Sequence, residues 1–513
     1  MIQYLKVRPL PDELETWRRR IEKIATGLGL DFFETRFEMV SYDKMSEIAA
    51  YGGFPTRYPH WRFGMEYERL SKSHTYGLSK IYELVINNDP CYAYLLEGNE
   101  FVDQKLVMSH VFGHADFFKH NFWFGRTNRR MLDTMANHAT RVRRYQDLYG
   151  INVVEEFIDV CLSLENLIDL HAPYRPKATQ KNERPKGDLP DELIGDVDRL
   201  PRLEAKEYMD EYVNPDEYIE EQRKKKRSKS DSKARFPSEP RRDVMLFLMQ
   251  EAPLTRWQRN VIGIIRDEAY YFAPQGMTKI MNEGWASYWH THMMTKCGIM
   301  DGSEVIDYAD RHSRCTVMHR GRLNPYKLGI ELFRHIEERW NTGRFGKAYD
   351  ECDDMRERAN WNQNTGLGLE KIFEVRRHHN DITFLDEYLT PEFCAEHQLF
   401  TFGHNPRANE WQIASRDFGE IKKKLLTQLT NMGQPVIEVE DANFNNRSEL
   451  LLTHRYDGVD LDVAYSQATL MNLHKLWKRP VHIATQKAEQ PTLLSYDGEK
   501  HSEGPFDAPS TEE

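Results

Sequence analysis

The chain has 513 residues, of which 40% are hydrophobic and 12% aromatic, so it can bury roughly two to four compact units and is not disordered throughout. Its 70 Lys and Arg residues against 81 Asp and Glu residues give a net charge of -11, which offers no support for a basic nucleic-acid-binding surface. The six cysteines have no Cys-x-x-Cys spacing and are too few for a disulfide framework, which excludes a zinc ribbon and a disulfide-rich scaffold.

The amino-terminal segment lacks the charged and apolar regions of a secretory signal peptide. The longest apolar runs are far shorter than the ~20 residues that a membrane-spanning helix needs. We therefore expect a cytoplasmic protein without a membrane span.

Apolar residues three and four apart predict helices in the first third of the chain. These predicted helices cover residues 11–30, 102–119, 127–148 and 153–168. The stretch 51–63 is rich in Gly, Pro and aromatic residues and predicts a packed loop, after which a helix resumes at Met65. The run CYAYLLEG from Cys91 predicts a short strand.

Residues 172–240 interrupt the helical pattern with eight prolines and few large apolar residues, which predicts a charged, flexible insertion or linker. A basic run at 224–229 could instead contact nucleic acid or anionic lipid. Acidic residues between 203 and 221 precede the run and would partly neutralise it. We expect no nucleic-acid partner.

The second half of the chain returns to helices and then changes character near Leu399. The predicted helices cover residues 243–272, 278–295, 303–313, 325–341 and 368–379. Beyond Leu399, short β-prone runs alternate with helices at 418–432 and 465–477. The predicted fold is therefore mainly α. A large helical domain formed by 1–171 and 241–396 is followed by a small α+β domain at 397–487 and a disordered tail at 488–513.

The first motif with chemical content is Ser109-His110-Val111-Phe112-Gly113-His114. On a helix, residues four apart share a face with their Cβ atoms about 5–6 Å apart, so His110 and His114 can bind one divalent ion, as in His-Glu-x-x-His zinc sites. Val111 stands where such sites carry the catalytic glutamate. The alternative is a pair of partly buried histidines that satisfy each other through water or carboxylates.

The second motif is Met281-Asn282-Glu283-Gly284-Trp285-Ala286, which continues to His290. It resembles the helix that supplies a glutamate as third ligand in gluzincin metallopeptidases, so Glu283 is the predicted third ligand and zinc the expected ion. His290 shares a face with Glu283 but lies about 10 Å along the axis, so we expect it to support the ligands or line the pocket. The alternative for Glu283 is a buried carboxylate paired with Arg or His.

Four further residues are candidates for catalytic roles. His312 and Tyr326 could donate a hydrogen bond to an oxyanion, although Asn324 and Pro325 alone are also typical of a helix start. Because Val111 replaces the usual base, Glu68 or Asp116 would have to handle protons, unless both are ion-paired surface acids.

Five segments of the chain carry a family resemblance. They are MEYERL, NNDPCYAYLLEGN, LVMSHVFGHADFFKHN, MNEGWASYWH and NPYKLG. In this order they closely resemble the stage V sporulation protein R family from about Ser41 to Tyr465. The resemblance implies a link to spore cortex formation, although members also occur in bacteria that do not sporulate, and it leaves the reaction open.

Two functions follow from these patterns. The first is a metal-dependent hydrolase of an amide or peptide bond, linked to cell-wall metabolism. The second is a non-catalytic scaffold or regulator in a sporulation or stress complex, which Val111 favours and in which the charged segment 220–235 would dock a protein partner. No Gly-x-x-x-x-Gly-Lys or Gly-x-Gly-x-x-Gly motif supports nucleotide binding. The sequence leaves substrate, oligomeric state and partner open.

Overall fold

The computed structural model describes residues 8–75, 83–175, 236–318, 323–405 and 410–506. Its contacts divide the chain into two units. The first contains residues 1–170 and 254–435, and the second contains residues 171–253 and 436–513. Among the helices described, none is long and apolar enough to cross a membrane.

The prediction of a mainly α fold is confirmed by the helices of the structure. The helices up to the middle of the chain are α1 (Asp12–Gly27), α2 (Tyr42–Ala50), α3 (Trp61–Thr75), α4 (Phe101–His120), α5 (Met131–Tyr149), α6 (Ile151–Leu162), α7 (Val244–Glu251) and α8 (Arg256–Met277). The later helices are α9 (Lys279–Lys296), α10 (Val305–Cys315), α11 (Pro325–Thr342), α12 (Lys347–Asp350), α13 (Met355–Ala359), α14 (Gly368–His378), α15 (Asp381–Tyr388), α16 (Pro391–Glu396), α17 (Phe418–Leu429) and α18 (Val463–Trp477). Helices α7 and α18 belong to the second unit.

The described residues of the first unit also form five strands. These are β1 (Thr35–Val40), β2 (Glu83–Ile86), β3 (Cys91–Leu96), β4 (Thr401–Asn405) and β5 (Glu410–Ser415). Strand β3 lies between β1, to which it is parallel, and β2, to which it is antiparallel. Strands β4 and β5 form a separate antiparallel pair. The strand predicted at Cys91 is confirmed, whereas β1 and β2 were not predicted.

Helices α4 and α9 lie at the centre of the first unit, and almost every residue of their middle turns is buried. Small residues allow their backbones to approach closely. A Cβ atom added to Gly113 of α4 would lie 2.7 Å from the Cα of Ala286 in α9. One added to Gly284 would lie 2.5 Å from the Cα of Gly329 in α11. The sequence around Glu283 is therefore also a packing motif that holds three helices together.

One difference from the predicted helices has a local cause. The helix predicted at 243–272 is divided into α7 and α8, with Pro253 in the break, because proline lacks the N–H that a helix interior needs and restricts the residue before it. Most of the insertion predicted at 172–240 lies outside the described residues.

The second unit contains a five-stranded sheet. Its strands are β6 (Ile437–Phe444), β7 (Glu449–His454), β8 (Val481–Lys487), β9 (Gln490–Tyr496) and β10 (His501–Pro505), in the spatial order β10-β9-β8-β7-β6. The pairs are antiparallel except β7 with β8. The helix α18 supplies the connection that a parallel pair requires.

The carboxy-terminal boundaries differ from those predicted at 397 and 488. Residues 401–434 belong to the helical unit, so the second unit resumes at Val436. The segment predicted as a disordered tail instead forms β9 and β10. Gly498, at a φ of +108°, lies in the turn that reverses the chain between them, a conformation that favours glycine. Residues 507–513 lie outside the described part.

Candidate metal centre

The structure brings His110, His114 and Glu283 together. His110 and His114 lie one turn apart on α4 with ring centroids 4.5 Å apart, and Glu283 approaches from α9. The Nε2 atoms of His110 and His114 each lie 3.5 Å from Oε2 of Glu283. One ligand atom from each residue lies within 4.8 Å of the others, and all three residues are buried. The group therefore has the composition and spacing to hold a metal ion.

The carboxylate of Glu283 shows that the donor set fits such an ion. Its Oε1 accepts a hydrogen bond from Lys279 Nζ at 2.6 Å. Its Oε2 is buried and has no hydrogen-bond partner among the residues that the structure describes. A buried carboxylate oxygen left in this way is costly unless a cation or donor satisfies it. Two imidazole nitrogens and one carboxylate oxygen are ligands that zinc and other divalent transition metals accept.

The electrostatics favour an ionised Glu283. Burial alone would raise its pKa, but the adjacent His110 and His114 rings, together with the charge of Lys279, lower the pKa well below its usual value. The carboxylate is thus charged at neutral pH.

Neighbouring groups fix the orientation of these side chains. Nδ1 of His114 lies 2.9 Å from Oδ1 of Asn282, so a hydrogen on Nδ1 leaves Nε2, which faces Glu283, without a hydrogen. Nδ1 of His110 lies 2.8 Å from Nδ1 of His290. The start of α9 is held by Asp381, whose two carboxylate oxygens accept from the backbone N–H groups of Ile280 and Met281 at 2.8 and 2.9 Å.

A cavity of about 490 Å³ opens onto the three residues. Its apolar wall includes Leu84, Val85, Leu106 and Val107. This volume is in the range of about 300–1,000 Å³ that small-molecule sites occupy. A ligand of that size can therefore reach the face of the group that the three side chains leave open.

The remaining predicted residues fall into two sets. His290, His312 and Tyr326 line the cavity, and the Tyr326 ring stacks against His110 with centroids 6.3 Å apart. Burial lowers the pKa of His290 well below its usual value and also lowers that of His312, with neighbouring positive groups contributing to both. These rings are therefore neutral at neutral pH.

Glu68 and Asp116 are not brought to the cavity. The Glu68 side chain is 64% exposed and pairs with Lys72 at 2.6 Å. Asp116 is buried, but its oxygens accept hydrogen bonds from Trp285, Arg376 and the backbone of Asp31. Neither carboxylate touches a ligand histidine, and the groups behind the histidines are an amide and an imidazole.

Sequence reasoning missed several polar residues at the cavity, among them Asn282, Asp103 and Arg311. Asn282 directly precedes Glu283, so the motif contained it without indicating its role. Asp103 lies seven residues before His110 on the same helix face, and that spacing could have identified it. It pairs with Arg311 of α10, a contact between separate helices that no local spacing reveals.

Comparison with known families finds family models that match almost the whole chain. A family model described as "SpoVR like protein" matches residues 10–434, and one described as "SpoVR-like C-terminal domain" matches residues 435–488. A relative from Escherichia coli (strain K12), named "Uncharacterized protein YcgB", is 29% identical over 509 residues, which cover 93% of this chain and 92% of the relative. No solved structure matches.

Proposed function

The chain belongs to the SpoVR family, and from this premise and the site geometry we propose that its helical unit is a metal-dependent hydrolase. His110, His114 and Glu283 would hold a divalent cation, with zinc as the first ion to test. The observation that supports the proposal best is the buried, unsatisfied Oε2 of Glu283 facing both Nε2 atoms beside a cavity. The proposed substrate is an amide or peptide, which the family's association with spore cortex formation connects to cell-wall metabolism.

The bound cation would act as a Lewis acid on a substrate carbonyl and lower the pKa of water. The chain's own residues supply the rest. The apolar wall that includes Leu106 and Val107 would lower the local polarity and so strengthen electrostatic interactions at the centre. Tyr326 and His312 line the same cavity and can donate hydrogen bonds to an oxygen that gains negative charge.

Proton transfer requires a base other than the usual glutamate, because Val111 occupies that position. Within the described part of the chain, the carboxylates that line the cavity are Glu283 and Asp103, and Asp103 is paired with Arg311. His312 is half-buried, neutral at neutral pH and in contact with the cavity. We therefore assign no side chain of the cavity the role of base in place of Glu68 and Asp116, and His312 keeps the role of hydrogen-bond donor.

The lack of an available carboxylate base at the cavity supports a second candidate function. A site without an available carboxylate base can hold a structural ion in a scaffold or regulator. In that case metal removal would lower stability or partner binding, while no amide substrate would be turned over at any metal concentration.

Metal content of the purified full chain tests the proposal. We expect about one zinc ion per chain after loading, and its loss in His114→Ala and Glu283→Gln, because each change removes one of three ligands. Glu68→Gln and His378→Ala change an exposed acid and an exposed histidine and should retain the metal. Full zinc content in His114→Ala would refute the site.

Hydrolysis is tested separately. Zinc-loaded chain should cleave amide bonds in peptides or cell-wall muropeptides, and His312→Gln should slow cleavage while zinc content stays unchanged. Zinc binding without cleavage of any such substrate would instead favour the scaffold function.

A further inference from the structure

Three histidines from three helices form a chain that begins at one of the proposed ligands. His110 of α4 contacts His290 of α9, with their Nδ1 atoms 2.8 Å apart. Nε2 of His290 in turn lies 3.4 Å from Nδ1 of His312 in α10. His290 is buried, His312 is half-buried, and all three line the cavity.

The short Nδ1–Nδ1 distance restricts where the hydrogens lie. Two imidazole nitrogens 2.8 Å apart form a hydrogen bond only if one carries a hydrogen and the other does not. Nε2 of His110 faces Glu283 and must be free of hydrogen to bind a cation. The hydrogen of His110 is then on Nδ1, so Nδ1 of His290 is the acceptor.

The same reasoning extends to His312. A neutral His290 that accepts at Nδ1 carries its hydrogen on Nε2, which is the nitrogen facing Nδ1 of His312. His312 accepts there and keeps its hydrogen on its own Nε2. A single arrangement of hydrogens therefore satisfies both contacts and leaves the ligating nitrogen of His110 available.

Building on the proposed metal function, we infer that His290 is a positioning residue that holds His110 in its ligating tautomer, and that His312 supports His290. Metal-ligating histidines usually donate to a carboxylate, a backbone carbonyl or water, and this chain uses a neutral imidazole instead. A carboxylate there would add a negative charge beside the ligands. The imidazole fixes the tautomer without that charge.

Paired substitutions at His290 test this inference. His290→Asn places an amide oxygen close to the position of Nδ1, whereas His290→Leu keeps bulk but removes the acceptor. We expect zinc affinity, measured by competition with a chelator, to fall by about 10–100-fold in His290→Leu, the range typical for loss of a group behind a ligand. His290→Asn should recover most of that affinity. Thermal unfolding of the metal-free proteins shows whether each variant is folded.

The outcomes separate the inference from the proposed function. Equal zinc affinity in His290→Leu and the wild type, or an Asn variant as weak as the Leu variant, would overturn the positioning role. If His290→Leu does not fold, His312→Leu and His312→Asn repeat the comparison one residue further away, with a smaller loss and recovery expected. A wild-type chain that binds no zinc would refute the metal function and the inference together.

Discussion

His110, His114 and Glu283 show what individual residues contribute to this site. The two histidines share a helix face, and Glu283 reaches them because Asp381 fixes the start of its helix. Asn282 and His290 then determine which ring nitrogens face the carboxylate. The proposed metal binding would therefore depend on the side chains that hold His110, His114 and Glu283 in place as well as on these three residues.

His335, which lies outside the site, makes the free energy of unfolding depend on pH. Burial of His335 on α11 lowers its pKa to about 4 from an ordinary value of 6.5. Between these values the unfolded chain binds a proton that the folded chain does not, so falling pH favours unfolding. The contribution to stability is present above pH 6.5, declines as pH falls below that value, and is fully lost below about pH 4.

His335→Gln removes this titration and can keep a contact with the Thr390 hydroxyl, which lies 3.4 Å from Nε2 of His335. The melting temperature of the variant should therefore fall less between pH 6.5 and 4 than that of the wild type. Circular dichroism melts at a series of pH values measure the difference. Parallel curves for the two proteins would contradict the assignment.

The sequence identified the three residues that the structure brings together at the proposed metal site, but the two acids that it offered as catalytic candidates, Glu68 and Asp116, lie elsewhere for a physical reason. Helical spacing places His110 and His114 on one face, and the motif at Glu283 brings a carboxylate with it. Which way an isolated acid points depends on partners far away in sequence. Asp116 turns toward Trp285 and Arg376, which lie 169 and 260 residues away.

Among the elements, α4, α9 and α11 form the frame of the site because small residues let them touch. Gly284→Ala would place a Cβ 2.5 Å from the Cα of Gly329, so the two helices must separate. We expect a loss of about 1–3 kcal/mol of stability, as for other over-packed cores. Zinc affinity should also fall, because Glu283 is the adjacent residue.

Gly64→Ala in α3 is the matched control, since nothing lies within 4 Å of the added Cβ. That change should be neutral or slightly stabilising, because alanine is the better helix former. Chemical denaturation and chelator competition measure both effects. Equal stability and zinc affinity in the two variants would show that the close approach of α9 and α11 is not required.

Long helices were predictable, whereas the short strands of the first unit were not. A helix such as α14 repeats its apolar pattern over several turns, and the prediction at 368–379 agrees with Gly368–His378. Strand β2 has four residues, too few to show a period, and its place depends on pairing with β3. Short strands are fixed by tertiary partners rather than by local sequence.

At the scale of the whole chain, the two units have different architectures. The predicted boundary at 397 followed the change to β-prone sequence, but the β4–β5 pair and α17 belong to the helical unit. Ile421 of α17 is part of that unit's hydrophobic core. A change in local pattern therefore did not coincide with the change of unit.

Strands β9 and β10 allow us to predict the effect of truncating the carboxy terminus. Strand β9 covers one edge of β8, whose residues Val481–Ala484 are buried. A chain that ends after residue 489 would expose that edge and its apolar side chains, so we expect aggregation or rapid proteolysis of the second unit. A chain that ends after residue 506 keeps both strands and should behave as the full chain. Equal solubility and protease resistance of the two truncations would contradict the paired strands.

The central claim is that His110, His114 and Glu283 bind one metal ion. The most direct measurement is an anomalous-difference map, recorded at the zinc edge from crystals of the zinc-loaded full chain. We predict a peak about 2.0–2.2 Å from Nε2 of both histidines and from a carboxylate oxygen of Glu283. A map with no peak between these residues at saturating zinc would contradict the account.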